Sequence, residues 1–364
     1  MSLGAWVALA LAAAPPLALA AAVLAWWRWK RGLLAASRAT SRVARTARGP
    51  MEYAVAGQGP PLLVIHGGMG GHDQALGLGA LVNGHAGAAA FTVLAPSRPG
   101  YSRTPLQVGV TPEEQADALA AWLDHLGVAQ VGVLAGSYGG PVAVQFALRH
   151  PHRLWALVLL AAVLRRSTVG QQWPLSDRAL LSRPGGLLID LLHWLLHLRA
   201  RYQPLALLRA FTRQMTARSV DDAEIDRRVA RLGQFPEQVR TVQGLFCSMM
   251  PLSVQMAGCL NDEKQIAGLP DHPLEEVRAP TLFVHGREDC VGPGAAGAEW
   301  AAAKVPGARL FLVEQCGHFL QAGEHVAPVF SAIAEFLAGH APPGSGAGPA
   351  AVEPYREAVG PVSR

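Results

Sequence analysis

The fold is decided by residues 128–140, which read VAQVGVLAGSYGG. The first half of this stretch is largely apolar, as in a strand buried on both faces, and a helical pattern follows to about His150. Between strand and helix, Ser137 has small residues two positions away on either side, Ala135 and Gly139. A sharp turn from strand to helix tolerates only small residues there. The pattern therefore predicts a nucleophile elbow that exposes the Ser137 hydroxyl.

The alternation of strand and helix continues on both sides of this elbow. Thr111 and Glu114 have the spacing of a capping box, which predicts a helix that runs to about Leu126. Short apolar runs predict further strands at 51–55, 61–65, 91–95, 154–160, 280–285 and 310–313. Strands separated by helices indicate an α/β fold, with a mostly parallel sheet covered by helices on both faces.

The alternation of strand and helix is interrupted at residues 164–274, which are helical in pattern and rich in arginine. We interpret them as a helical cap inserted between two halves of the core, 51–163 and 275–340. An apolar run at 187–196 is too short to span a membrane, and packing against the core is favoured over an interfacial face that admits lipid. The tail at 341–364 is rich in Pro, Gly and Ala and is expected to be disordered.

The N-terminal region, residues 1–50, has the pattern of a membrane anchor followed by a basic linker. Residues 3–27 carry no charge and are long enough for a transmembrane helix, and cations follow directly. The positive-inside rule then places the catalytic body on the cytoplasmic face. The alternative is a signal peptide cleaved near Ala20, which would export the protein.

Composition excludes several classes of protein. The 364 residues are 51% hydrophobic and 16% charged, which rules out disorder of the whole chain. The net charge of +5 arises in residues 1–50, since the remainder has 24 cations against 26 acidic residues. No basic face for nucleic acid is therefore expected. The four cysteines form no CxxC pair, and no cofactor motif or metal cluster stands out.

Several further motifs give the chain a family resemblance over about residues 51–338. It resembles proteins of the α/β-hydrolase fold, in which an oxyanion loop, a turn, the elbow, an acid loop and a histidine loop follow in this order. The matching segments are His66-Gly67-Gly68, Ser97-Arg98-Pro99-Gly100-Tyr101-Ser102, the elbow, His285-Gly286-Arg287-Glu288-Asp289 and Gly317-His318. Ser97 stands where aspartate is more usual, which affects the wall of the site rather than its catalytic residues.

The resemblance implies a Ser-Asp-His triad of Ser137, Asp289 and His318. A serine hydroxyl needs an adjacent base near neutral pH, and His318 lies in a loop that can fold back over the elbow. Asp289 is favoured as the acid over its neighbour Glu288 because of its spacing from the preceding HG pair. The other position the family uses for the acid, after the strand at 154–160, offers none.

The backbone N–H groups of Gly68 and Tyr138 are the expected oxyanion hole. A serine nucleophile disfavours dehalogenase and epoxide hydrolase chemistry, in which the resemblance implies aspartate at position 137. The sequence therefore predicts a membrane-anchored serine hydrolase that cleaves a lipophilic ester, as a lipase or esterase does. A C–C hydrolase or peptidase of the same fold and a non-catalytic binding protein remain as alternatives. The substrate and any protein partner are not specified.

Overall fold

A sheet of eight strands organises the part of the chain that the structure describes. The computed structural model describes residues 3–167 and 176–343, with side chains from residue 14 onward. The strands are β1 (Arg42–Thr46), β2 (Gly49–Ala56), β3 (Pro61–Ile65), β4 (Thr92–Pro96), β5 (Val131–Gly136), β6 (Leu154–Leu160), β7 (Thr281–Gly286) and β8 (Arg309–Val313). Each predicted strand is present within a few residues, whereas β1 lies in a region that the sequence assigns to a linker.

The strand order is β1-β2-β4-β3-β5-β6-β7-β8, and the six strands from β4 to β8 in this order run parallel. Only the pairs that involve β2 are antiparallel. Parallel strands bring their carboxyl ends to one edge of the sheet, where ligands of such folds bind. The predicted α/β fold with a mostly parallel sheet is confirmed.

Helices cover both faces of the sheet. The helices of the described residues are α1 (Leu3–Ala39), α2 (His72–His85), α3 (Pro112–His125), α4 (Gly140–Arg149), α5 (Asp177–Leu180), α6 (Arg183–Tyr202), α7 (Pro204–Gln214), α8 (Asp222–Leu232), α9 (Pro236–Ser248), α10 (Met256–Ala267), α11 (Gly294–Lys304) and α12 (Val326–His340). Trp122 of α3 and Phe146 of α4 are buried on one face, and Phe330 of α12 on the other. The capping box predicted at Thr111 and Glu114 is present at the start of α3.

Helices α5 to α10 lie between β6 and β7 in the chain, and α6 to α9 contribute most of a separate small core. Leu208 of α7, Ile225 of α8 and Phe246 of α9 are buried together in it. These helices occupy the region in which the sequence predicts a cap. Residues 168–175 of that region, and residues 344–364 of the predicted tail, lie outside the described part of the chain.

The apolar run at 187–196 differs from the prediction that it packs against the core. It forms the middle of α6, where Ile189 is buried but six leucines of the run are between 39% and 51% exposed. They are Leu187, Leu188, Leu191, Leu192, Leu195 and Leu196. Asp190, on the buried face, forms a salt bridge with Lys30 of α1 at 2.5 Å and accepts a hydrogen bond from the Ser253 N–H at 2.9 Å. These contacts of Asp190 hold its face of α6 inward.

The prediction of a membrane-spanning segment at residues 3–27 is not supported. In the described residues, 3–167 and 176–343, no helix is both long and apolar enough to cross a membrane.

Candidate active site

Ser137 lies at the tip of a tight turn between β5 and α4. Its backbone φ is +49°, in the left-handed region that residues with side chains seldom occupy. The turn leaves no room for a side chain at Gly139, where a Cβ atom would lie 2.8 Å from the carbonyl oxygens of both Ile65 and His66. This is the geometry of the elbow that the sequence predicts, and it holds the Ser137 hydroxyl at the carboxyl edge of the sheet.

His318 follows β8 in a loop that returns over the elbow. Its Nε2 lies 3.0 Å from Ser137 Oγ, and its Nδ1 lies 2.8 Å from Asp289 Oδ2. One imidazole ring therefore bridges the hydroxyl and the carboxylate. In this arrangement Nε2 is placed to accept the hydroxyl proton while Nδ1 donates to the carboxylate. We refer to these three side chains as the Ser137–His318–Asp289 array.

Asp289 is a buried carboxylate with several partners besides His318. The Val291 N–H donates to its Oδ1 at 2.7 Å. His285 Nε2 lies 2.8 Å from Oδ2, which is close enough for a charge interaction although the two groups are not aligned as a hydrogen bond. Burial alone would raise the pKa of Asp289, but His318 and His285 outweigh burial and hold its pKa well below the ordinary value. Asp289 is therefore ionised throughout the neutral range.

The lowered pKa of Asp289 predicts a pH dependence of stability. A carboxylate whose folded pKa lies below its unfolded value of about 3.9 stabilises the fold above that pH, and the stabilisation is lost as the pH falls toward the folded value. We expect Asp289→Asn to lower the free energy of unfolding at about pH 6, and the difference from wild type to shrink below about pH 4. Urea titrations across this range measure it, and a difference that is constant with pH contradicts it.

Gly67 and Gly68 follow β3 and face the elbow. A Cβ atom on Gly67 would lie 3.0 Å from the Ser137 Cβ, and one on Gly68 would lie 3.0 Å from the Tyr138 ring. Gln74 Oε1 accepts a hydrogen bond from the Gly67 N–H at 2.8 Å and fixes this loop. Gly68 and Tyr138, whose N–H groups the sequence predicts as an oxyanion hole, thus border the same cavity as Ser137.

A buried cluster, which we call the Arg98 clasp, joins the core to the cap. Arg98 follows β4 and forms a two-pronged salt bridge with Asp262 of α10, at 2.9 and 2.5 Å. The Tyr101 hydroxyl donates to the same carboxylate at 2.5 Å. The guanidinium also donates to the carbonyl oxygens of His66 and Gly67, at 3.0 and 3.2 Å. The clasp, formed by Arg98, Tyr101 and Asp262, therefore ties the loop after β3 to the cap.

A second connection joins the cap segment 215–218 to the loops of the array. Thr216 forms an antiparallel bridge with Asp289. The His318 N–H donates to the Met215 carbonyl oxygen at 3.1 Å. Asp289 and His318 are thus both held partly by backbone contacts with the cap.

A cavity of about 750 Å3 lies over Ser137 between the core and the cap. Its wall is mainly apolar. The apolar side chains that line it include Met69, Leu78, Leu160, Met215, Leu245 and Met249. A second cavity of about 530 Å3 adjoins it, and the two share the rings of Phe211 and Phe319, whose centroids are 4.4 Å apart. The space is that of a small-molecule site.

Two other residues that the sequence singles out lie away from the array. The carboxylate of Glu288, the alternative acid, pairs with Arg228 of α8 at 2.5 Å. Ser97 is fully buried, and its hydroxyl donates to Glu52 Oε2 at 3.2 Å and accepts from the His72 N–H at 3.1 Å. The prediction that Ser97 touches the wall of the site is therefore wrong, because it belongs to a polar cluster behind it.

Three residues that shape the site were missed by sequence reasoning. Arg98 lies inside the motif at residues 97–102. Its partner Asp262 is 164 positions away, and the residues around Asp262 form no motif that would mark it. Arg218 belongs to an arginine-rich segment in which no single cation stands out. It is distinguished by its place at the border of the cavity over Ser137, two residues after Thr216, which pairs with Asp289.

Comparison with known proteins agrees with this architecture. The family described as "alpha/beta hydrolase fold" matches residues 60–324. An alpha/beta hydrolase fold protein from Nakamurella multipartita, of known structure, is 32% identical with a TM-score of 0.70, over 82% of this chain and 99% of its own. Pimeloyl-[acyl-carrier protein] methyl ester esterase of Aromatoleum aromaticum is 30% identical, over 63% of this chain and 81% of that protein. The 2-hydroxymuconate semialdehyde hydrolase of Pseudomonas putida is 28% identical, over 78% and 88% respectively.

Proposed function

The chain belongs to the alpha/beta hydrolase fold family, and on that premise we propose that it is a serine hydrolase that cleaves a carboxylic ester through an acyl-serine intermediate. The observation that carries the proposal is the array itself. His318 lies 3.0 Å from the Ser137 hydroxyl and 2.8 Å from the Asp289 carboxylate, at the floor of a cavity large enough for a small molecule. A nucleophile, a base and a group that orients the base are the parts that acyl transfer requires.

In the proposed acylation step, Ser137 Oγ attacks the carbonyl carbon of the ester while its proton moves to His318 Nε2. The carbonyl oxygen becomes an oxyanion, which accepts hydrogen bonds from the N–H groups of Gly68 and Tyr138. As the tetrahedral intermediate collapses, the bond to the alkoxy oxygen breaks and Nε2 returns the proton to the departing alcohol. Asp289 holds the ring through Nδ1–H and balances the charge of the transient imidazolium.

Deacylation repeats these steps with water as the nucleophile. His318 Nε2 accepts a proton from the water molecule, whose oxygen attacks the acyl carbon of the ester on Ser137. Collapse of the second tetrahedral intermediate breaks the bond to Oγ, which recovers its proton from Nε2. The products are a carboxylic acid and an alcohol, and the enzyme is unchanged.

The nature of the cavity supports an ester with an apolar acyl chain. The walls nearest the array carry aliphatic and thioether side chains such as Leu160, Leu245 and Met249. Removal of apolar substrate surface from water favours binding by roughly 25 cal/mol per Å2. The esterase from Aromatoleum aromaticum, which is similar over most of its length, adds support for ester chemistry.

Hydrolysis of a carbon–carbon bond next to a carbonyl group is the second candidate. It is favoured by the similarity to the hydrolase from Pseudomonas putida, which acts on 2-hydroxymuconate semialdehyde. Turnover of such a vinylogous keto acid without any turnover of esters would select it over the ester hydrolase.

The proposed function is tested by labelling and by turnover. We expect a fluorophosphonate probe to modify the folded protein at Ser137 alone, as located by peptide mass spectrometry. We also expect hydrolysis of p-nitrophenyl esters, measured from acetyl to palmitoyl, to be inhibited by the same probe. Heat-unfolded protein is the control for labelling, since it lacks the array. A folded protein that is neither labelled nor active on any ester contradicts the proposal.

A further inference from the structure

The cavity over Ser137 is bordered by charged side chains of one sign. Arg213 and Arg218, both from the cap, border it, whereas its described lining includes no aspartate or glutamate. Asp289 is engaged by His318 and does not reach the cavity wall. A cavity that is apolar over most of its wall and has cationic side chains at its edge favours an apolar ligand with an anionic end.

The two arginines differ in what they already bind. The Arg213 guanidinium donates to the carbonyl oxygens of Thr216 and Ala217, at 2.9 and 2.7 Å, and lies 3.6 Å from the Asp222 carboxylate. Its hydrogen-bonding capacity and its charge are thus largely used within the protein. The hydrogen bonds of Arg213 close the turn that leads to Arg218.

Arg218 is exposed and forms no hydrogen bond or ion pair with any other described residue. The backbone just before Arg218 is nevertheless held in place. The Ala217 N–H donates to the Glu288 carbonyl oxygen at 2.7 Å, and Thr216 pairs with Asp289. Arg218 therefore sits two residues beyond a fixed contact with the loop of the acid, and it borders the same cavity as the nucleophile.

We propose that Arg218 binds a carboxylate at the far end of the substrate, so that the substrate class is the half-ester of a dicarboxylic acid. This inference rests on the proposed function and specifies the substrate of the same site. The ester group meets Ser137, the methylene chain lies along Met215 and Leu245, and the terminal carboxylate meets the guanidinium. A planar guanidinium matches a carboxylate with two parallel charge-assisted hydrogen bonds. Hydrolysis then yields a dicarboxylate and an alcohol.

The test compares two methyl esters of equal acyl length, monomethyl adipate and methyl hexanoate, which differ in the terminal carboxylate. We expect wild type to prefer monomethyl adipate, and Arg218→Gln to reduce the kcat/KM ratio of the acidic to the neutral ester about tenfold or more, chiefly through KM. Arg218→Lys should restore part of the preference. The matched control is Arg227→Gln on α8, whose guanidinium pairs with Glu224 at 2.8 Å outside the cavity and whose loss should leave the ratio as it is.

A binding measurement distinguishes failure of this inference from failure of the proposed function. Calorimetric titration of Ser137→Ala protein with adipate should detect binding that Arg218→Gln weakens by a similar factor and that added salt also weakens. Equal losses on the two esters in Arg218→Gln, or a wild type that prefers methyl hexanoate, overturn the carboxylate site while ester hydrolysis stands. Loss of all ester turnover and of fluorophosphonate labelling defeats the proposed function. In that case adipate binding sensitive to Arg218 still supports the anion site, and its absence ends the inference too.

Discussion

Replacement of Ser137 by alanine is expected to lower kcat for p-nitrophenyl butyrate by about a million-fold, the size of effect that loss of a serine nucleophile has in hydrolases. The reason is geometric. His318 Nε2 lies 3.0 Å from the Ser137 oxygen, and alanine leaves the base with no hydroxyl to deprotonate. Residual turnover then reflects binding and the oxyanion donors alone. Steady-state kinetics of the two proteins at equal protein concentration provides the measurement.

The same array predicts that the losses of activity caused by substitutions at Ser137 and His318 will not be additive. Ser137→Ala, His318→Ala and the double variant should have nearly equal kcat, because a base without its nucleophile contributes nothing further. Ser331→Ala on α12, away from the cavity, is the control for any general effect of removing a serine hydroxyl. If the double variant were slower than either single variant by the product of their factors, the two residues would act independently and the proposed mechanism would be wrong.

Removal of one partner from the Arg98 clasp is expected to destabilise the protein by about 3–5 kcal/mol. In Arg98→Met, the buried Asp262 carboxylate keeps only the Tyr101 hydroxyl among the partners described above, and the carbonyl oxygens of His66 and Gly67 lose a donor. An unpaired buried charge costs far more than an exposed pair contributes. The free energy of unfolding from urea titration is the measurement.

A double variant and an exposed pair provide the controls. Arg98→Met combined with Asp262→Leu removes both charges and should regain part of the stability, as buried ion pairs elsewhere do when replaced together. Arg149→Met breaks a pair with Asp117 in which the Arg149 side chain is 43% exposed, and should cost less than about 1 kcal/mol. Equal losses in the free energy of unfolding for Arg98→Met and Arg149→Met would mean that the clasp stabilises the protein no more than an exposed ion pair does.

The parts of the site that the sequence predicts are those encoded locally. Ser137 is marked by the small residues around it, and the loops of Asp289 and His318 by their place after predicted strands. Strand and helix periodicity is a property of adjacent residues, which explains why the alternation around the elbow could be found within a few residues of its observed bounds.

The parts that the sequence does not predict depend on how distant segments pack. Neither Arg98 nor Asp262 reveals its partner, because the pairing exists only after the cap folds over the core. The exposed leucines of α6 have the composition of a buried helix, and the contacts of Asp190 with Lys30 and Ser253 hold the opposite face of the helix inward. The composition of a segment indicates how readily it is buried, whereas the segments that pack against it determine which of its side chains are buried.

The contacts of the segment 215–218 couple the position of the cap to the arrangement of Asp289 and His318. Any movement of that segment breaks the bridge from Thr216 to Asp289 and removes the carbonyl acceptor of the His318 N–H. A ligand that touches both core and cap therefore raises the population of the assembled array by mass action. We expect such a ligand to hold His318 and Asp289 more firmly than they are held in the empty protein.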